Sequence, residues 1–297
     1  LIQFWGENVM PDDDFENPIE TAKGAVELIG TVIKVAGDHP DVKAAGGNLA
    51  KTAKTLTEFI NVGLLPIAAI NYGYGKARSY FEKKFVTDVE AAAGNIPPEN
   101  LQEPASSVIG PVLQGLAFTH EEDNLREMYL RLVATAMDNR RASKAHPAFA
   151  EIIKQLSGFE AGILKATLIH SALPIAEIRL GTYDEKMQFS KFSFPTSYRI
   201  LQTHVVPFGN KDGTPLINHD FPAMLDNWVR LGLVSVSYDT SFTDEGSYDW
   251  IKTRPEYLYW VPQDAPPQGK LDVAKGQLKS TAFGQQFAMA IGVKGEA

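Results

Sequence analysis

The stretch Leu225-Asp226-Asn227-Trp228-Val229-Arg230-Leu231-Gly232-Leu233-Val234 decides how the rest of the chain is read. Leu225, Trp228 and Val229 stand three and four apart, with Phe221 one turn earlier, which is the spacing of an amphipathic helix. Asn218 stands where a helix N-cap belongs. Gly232 permits the sharp left-handed exit that other residues resist. Val234-Ser235-Val236-Ser237-Tyr238 then alternates apolar and polar, as a half-buried strand does.

Working outward, the flanking segments fit one arrangement. Ser157 and Glu160 have capping-box spacing ahead of Ile163, Leu164 and Leu168, so a helix starts there. Ile175-Ala176-Glu177-Ile178-Arg179-Leu180 alternates as a half-exposed strand. Residues 189–208, rich in Phe, Tyr, Val and Ser, add one or two strands. After the decisive helix and strand, Asp244-Glu245-Gly246-Ser247 is turn-like. Residues 256–261 and 276–281 read as strands, and 283–291 as a short closing helix. Helix, strand, helix, then strands joined by a polar turn match a winged-helix unit with an insertion near 182–217.

The front half reads as helical. Apolar residues recur at helical spacing over 17–37 and 44–62, separated by Asp38-His39-Pro40-Asp41. A third helix starts near Pro66, where proline suits a first turn, and runs through Tyr80, Phe81, Phe85 and Val89. Thr119 and Glu122 repeat the capping-box spacing, followed by Leu125, Met128, Tyr129 and Leu132 on one face. The expected class is therefore α+β: a mainly helical N-terminal half followed by a winged-helix-like C-terminal domain with an insertion. The expected organisation is an acidic leader over 1–16, a helical domain over 17–145 and the winged-helix-like α+β domain over 146–297.

Bulk composition narrows the chemistry. With 297 residues and 44% hydrophobic content the chain can build a core without staples. It has no cysteine, which removes disulfides, thiolate catalysis and cysteine metal sites, and fits a reducing compartment. The first residues carry no basic stretch followed by an apolar core, so no export signal is expected there and the cytoplasm is the expected location. The chain opens on Leu1 without a methionine, so residues before it are left open. The longest apolar run, 62–70, is far short of the roughly 20 residues a membrane span needs. Of the net charge of −8, six acids lie within the first 22 residues, which hold no Lys or Arg. Bulk charge thus gives no attraction to nucleic acid.

The segment 104–156 resembles a bacterial family called abortive-infection alpha. The residues carrying the resemblance are Ile109-Gly110-Pro111, Asn124-Leu125-Arg126-Glu127-Met128-Tyr129, Ala134-Thr135-Ala136-Met137-Asp138, His146-Pro147-Ala148-Phe149 and Ile152-Ile153-Lys154-Gln155-Leu156. The helix over 225–233 and Ser280-Thr281-Ala282-Phe283-Gly284-Gln285-Gln286-Phe287 are similar to that family's ending, where Leu-Thr-Pro-Phe-Gly is expected. Residues 1–60 and 182–217 lie outside the resemblance. It implies a role in phage defence or prophage competition, and it supplies no agreed catalytic residues to carry over.

The catalytic candidates are Arg141 and His146, with four residues between them in Asp138-Asn139-Arg140-Arg141-Ala142-Ser143-Lys144-Ala145-His146. Arginine, four to six residues, then histidine marks a class of helical ribonucleases, in which His moves protons on a 2′-hydroxyl while Arg steadies the phosphate. That class places Asn, Asp or His directly after the arginine, whereas Arg or Ala follows here. The competing reading makes His146 a cap for the helix after Pro147. Lys76, Arg78, Lys83 and Lys84 form a basic patch among aromatics, a binding candidate for RNA or anionic lipid, against the reading of a solvated helix face. Arg230 is the one base on the candidate recognition helix, offset by Asp220 and Asp226, which argues against a DNA groove reader. No metal site and no cofactor are expected: no His-Glu-x-x-His, phosphate loop or dinucleotide fingerprint occurs. The resulting expectation is a non-enzymatic interaction protein of a phage-defence or prophage system, with a protein partner. A ribonuclease and a membrane-active effector are the alternatives, with nucleic acid or membrane as partner.

Overall fold

The structure is a computed structural model and describes residues 71–182, 197–261 and 269–293. The acidic leader, the helices expected over 17–37 and 44–62 and the apolar run 62–70 lie outside the described residues. Six helices come first: α1 Asn71–Lys83, α2 Phe85–Ala93, α3 Ser106–Thr119, α4 Asp123–Met137, α5 Ala148–Lys154 and α6 Gly158–Leu168. They are followed by β1 Ala172–Thr182, β2 Ser197–Val205, α7 Phe221–Arg230, β3 Val234–Ser237, the short α8 Pro255–Leu258, β4 Gly269–Ser280 and α9 Ala282–Ala290. The α+β class is as expected, and so is the helical character of the described part of the front half, 71–145.

The helix expected from Pro66 to Val89 is broken in its described part, because Lys84 leaves helical geometry between α1 and α2. Tyr80, Phe81 and Phe85 gather across that break in edge-to-face contacts, with His120 stacked on Tyr80 at 4.9 Å. The capping box at Ser157 forms as read, with Ser157 Oγ accepting from the Glu160 amide and Glu160 reaching back to the Ser157 amide. The one at Thr119 does not form. Thr119 ends α3, where its hydroxyl donates to the Gly115 carbonyl, and α4 starts at Asp123 with no side-chain cap. A hydroxyl that bonds back one turn cannot also cap the next helix. Asn218 holds the entry to α7 by a different device, its Oδ1 accepting from the Asp220 amide in a turn just outside the helix.

The four strands form one antiparallel sheet in the order β2-β1-β4-β3. The alternation read from 175–180 was that of a strand with one wet face. Instead Ile175, Ala176, Glu177 and Ile178 are all buried. Ile175 and Leu278 face the main core, which runs from Ala77 to Ile291. Ala176, Ile178 and Val205 face a second apolar cluster with Tyr248 and Ile251, so the segment after β3 covers the sheet's other face. Tyr248 anchors that cover by donating to the Gly276 carbonyl at 2.7 Å.

This cover overturns the strand expected over 256–261. Its aromatic run has strand propensity, but Pro255 sits at the first position of α8, where its fixed φ favours a helical turn. The strand paired with β3 is β4, which begins at Gly269, not the 256–261 segment.

Candidate functional site

The junction between α4 and α5 carries the sequence's catalytic candidates, and every one of them is engaged in holding the fold. Asp138, with its side chain 5% exposed, accepts from the Arg140 backbone amide at 3.0 Å and from the Arg140 guanidinium at 2.8 and 2.6 Å. Arg141 reaches the far end of the chain, donating from Nη2 to the Met289 carbonyl at 2.9 Å. Thr135 donates to the adjacent Ala290 carbonyl at 2.8 Å. Both bonds fall on carbonyls of the last turn of α9, the Met289 one also accepting from the Gly292 amide at 3.2 Å, and a cation there is favoured by the helix dipole. His146 is exposed, and its Nδ1 accepts from the Ala148 amide at 3.1 Å, so it caps the start of α5. Its ring rests against Phe149 and Phe283, with centroids 5.7 Å away in each case.

Arg140 hydrogen bonds hold the Asp138 carboxyl below the usual carboxylate range, against the opposing effect of burial. A carboxylate depressed in the folded state contributes stability above its unfolded pKa, roughly pH 4, and loses it as pH falls through the folded value. Asp138→Asn is expected to flatten the stability–pH curve below about pH 4 while lowering stability at neutral pH. Denaturant melts from pH 2 to 7 check it, and an unchanged acid slope would contradict the assignment.

The binding candidates are likewise engaged in part. Lys76 pairs with Glu121 at 2.8 Å across to the turn after α3, and Arg78 pairs with Glu82 one turn along α1. Lys83 and Lys84 are exposed at the α1–α2 break. Arg230 donates to the side chains of Gln155 and Asn227, and Asn227 donates to the Gln155 carbonyl and to Glu160. Two of the polar side chains that α7 would use to read base edges are thus turned back onto the loop between α5 and α6. Among the described residues no group of three or more His, Cys, Asp or Glu could hold a metal ion, and no helix is long and apolar enough to cross a membrane.

Sequence reasoning missed a second polar cluster. His204, at the end of β2, has φ 53° and is the one non-glycine in the left-handed region among the described residues. Its Nδ1 lies 3.0 Å from Tyr238 Oη and its Nε2 3.2 Å from Asp226. The Tyr238 hydroxyl also accepts from the His204 amide at 3.3 Å, so β2, α7 and the end of β3 are tied at one imidazole. A proton on Nε2 fits these contacts, Nδ1 accepting from the tyrosine hydroxyl and Nε2 donating to Asp226. His204 borders a cleft of 340 Å³ between the end of β2, the entry to α7 and α8. Nothing local in the sequence marks His204, because the three segments meet only through the sheet.

The turn that opens α9 carries the motif read at 280–287. Thr281 Oγ1 accepts from the Gly284 amide at 2.9 Å and donates to the Gly232 carbonyl, which binds the start of α9 to the exit of α7. Phe283 packs on Phe149, and Gly284 lies against the Leu233 backbone. A family model described as abortive infection alpha matches residues 77–291, from α1 through this turn. The chain belongs to the abortive infection alpha family. No curated protein and no solved structure matches it. The matched span includes the Asp138–His146 junction and the Thr281–Gly284 turn, which in this member of the family lock the two ends of one core together. Alanine in place of the proline expected after Thr281 leaves that turn intact, since Thr281 still caps α9.

Proposed function

We propose that this member of the abortive infection alpha family acts without catalysis, in the cytoplasm, by binding a partner protein during phage defence or prophage competition. One observation carries the reading: both halves of the Arg141–His146 pair are used by the fold, Arg141 on the Met289 carbonyl and His146 on the Ala148 amide. The family description supplies the abortive-infection setting. A winged-helix-like back half is supported by the run α6, β1, α7, β3, β4 and by the pairing of β4 between β1 and β3, with β2 as the insertion. Its use for protein contact rather than DNA is supported by the inward hydrogen bonds of Asn227 and Arg230.

Two measurements test this. A tagged full chain expressed in host cells is expected to retain one protein in near-stoichiometric amount, with or without phage; repeated failure to retain any would count against the reading. Purified chain and its His146→Ala variant are expected to leave cellular RNA equally intact. The variant is expected to lose about 1 kcal/mol of stability, the usual value of a helix cap. RNA cleavage by the parent that His146→Ala abolishes would replace this reading with the ribonuclease.

A further inference from the structure

The cleft beside His204 has walls fixed from both sides. Arg254 is 3% exposed, and its two terminal nitrogens donate to the carbonyls of Phe208 and Leu216 at 2.9 and 3.0 Å. The same guanidinium pairs with Glu256, so the loop before α7 is stitched to α8. On the opposite wall the His204 ring is held at both nitrogens. A pocket with prefixed walls loses little conformational freedom when it is filled.

Its surface is apolar where the fold gains nothing from exposing it. Ile217 is 48% exposed, Tyr259 63%, and Leu258 and Val261 beside it 50% and 54%. Ile217 and Tyr259 line the cleft together with Phe221 and Trp260. Grouped exposed apolar side chains around a concavity mark a contact surface rather than ordinary scatter.

Charge selects the occupant. Glu256 lines the cleft, and no lysine or arginine does. Asp220 is exposed and stands between the lining residues His219 and Phe221, and Asp226, 72% exposed at its side chain, meets the lining His204. From 219 to 256 the chain carries seven acids and three bases, and with the buried Arg254–Glu256 pair set aside six acids stand against two bases. An acidic or phosphorylated ligand would find no lysine or arginine in the cleft, whereas a basic one meets complementary charge at the rim.

We infer that this cleft docks a short basic segment of a partner protein, one aromatic side chain filling it while flanking lysines or arginines face Asp220 and Asp226. This rests on the interaction reading and specifies the partner's chemistry. Aromatic anchors in preformed pockets supply most of the binding energy at protein interfaces, and rim charges steer the encounter.

The test uses the full chain labelled with ¹⁵N-tryptophan, the Trp260 indole signal being assigned by Trp260→Phe. Three probes are titrated: an octapeptide with one tryptophan among lysines and arginines, its counterpart with glutamates for the bases, and free indole. The basic octapeptide is expected to shift the Trp260 signal saturably and to bind at least tenfold more tightly than either other probe. Tyr259→Ser, at a side chain exposed enough to leave melting unchanged, is expected to weaken it at least tenfold, and Asp220→Asn severalfold. Equal binding of the two octapeptides, no binding of either, or indole binding as tightly as the basic peptide would overturn the proposal. A partner retained from cells equally well by the parent and by Tyr259→Ser would sink the cleft assignment and leave the interaction reading standing.

Discussion

Gly284→Ala is expected to lower stability by about 3 kcal/mol and to lower the melting temperature by roughly 5–10 °C. Gly284 is the fourth residue of the terminal Thr281-Ala282-Phe283-Gly284 turn, at the start of α9. A Cβ built there overlaps the carbonyl oxygen of Leu233 and crowds its carbonyl carbon and Cα, so every obstacle is backbone. Backbone cannot rotate aside as a flexible side chain can, so α9 or the 231–234 turn must move. Either shift breaks the Thr281 hydrogen bonds that join them. Alanine gains up to about 1 kcal/mol over glycine in a helix, which offsets part of the loss but does not reverse it. Gly75→Ala serves as the control: it also lies in a helix, a Cβ there meets nothing within 4 Å, and the change is expected to be neutral or slightly stabilising. If the two substitutions melt alike, the close approach of α9 to the turn is wrong.

The contrast between these glycines shows which parts of the fold could be read from the residues. Features set by neighbours in sequence were legible: the Ser157–Glu160 box, the α7 periodicity, the glycine exit at Gly232 with φ 73°, the closing helix and the role of His146 as a cap. The family resemblance was legible for the same reason, since its blocks are short and local. Features set by what packs from elsewhere were not. The alternation at 175–178 suggested one wet face, because nothing local says that the segment containing Tyr248 and Ile251 folds over it. The aromatic run after Pro255 looked like a strand because its helical turn depends on Arg254 gripping carbonyls some forty residues earlier. At Thr119 the spacing was right but the start was wrong: Thr119 closes α3, and α4 begins only at Asp123. The polar site was the least legible of all, since His204, Asp226 and Tyr238 share no local pattern and meet only through tertiary structure.

Glu160→Ala is the second large effect expected, about 3 kcal/mol of stability, and it tests what fixes α7. The Glu160 side chain belongs to a residue only 7% exposed, and its two oxygens do different work. Oε2 closes the capping box on the Ser157 amide at 3.3 Å. Oε1 accepts from the indole nitrogen of fully buried Trp228 and from the Asn227 amide, both at 2.9 Å. Truncation loses the box, worth about 1 kcal/mol, and strands the indole N–H in the core, where an unmet donor costs about 1–3 kcal/mol. Asn227 suffers less because the Gln155 carbonyl is a second acceptor 3.2 Å away. Glu160→Gln separates the two functions: its amide oxygen can still receive the indole, but its NH₂ would face the Ser157 donor. The expected order of stability is therefore parent, then Gln, then Ala, with Gln losing about 1 kcal/mol, as read by denaturant midpoints. Trp228→Phe in the Ala background adds the decisive comparison. Removing the stranded indole should cost less there than in the parent, because a donor without an acceptor is itself destabilising. Additive losses in that cycle would mean that Glu160 acts on its own helix alone, and that α7 is held by apolar packing without the carboxylate.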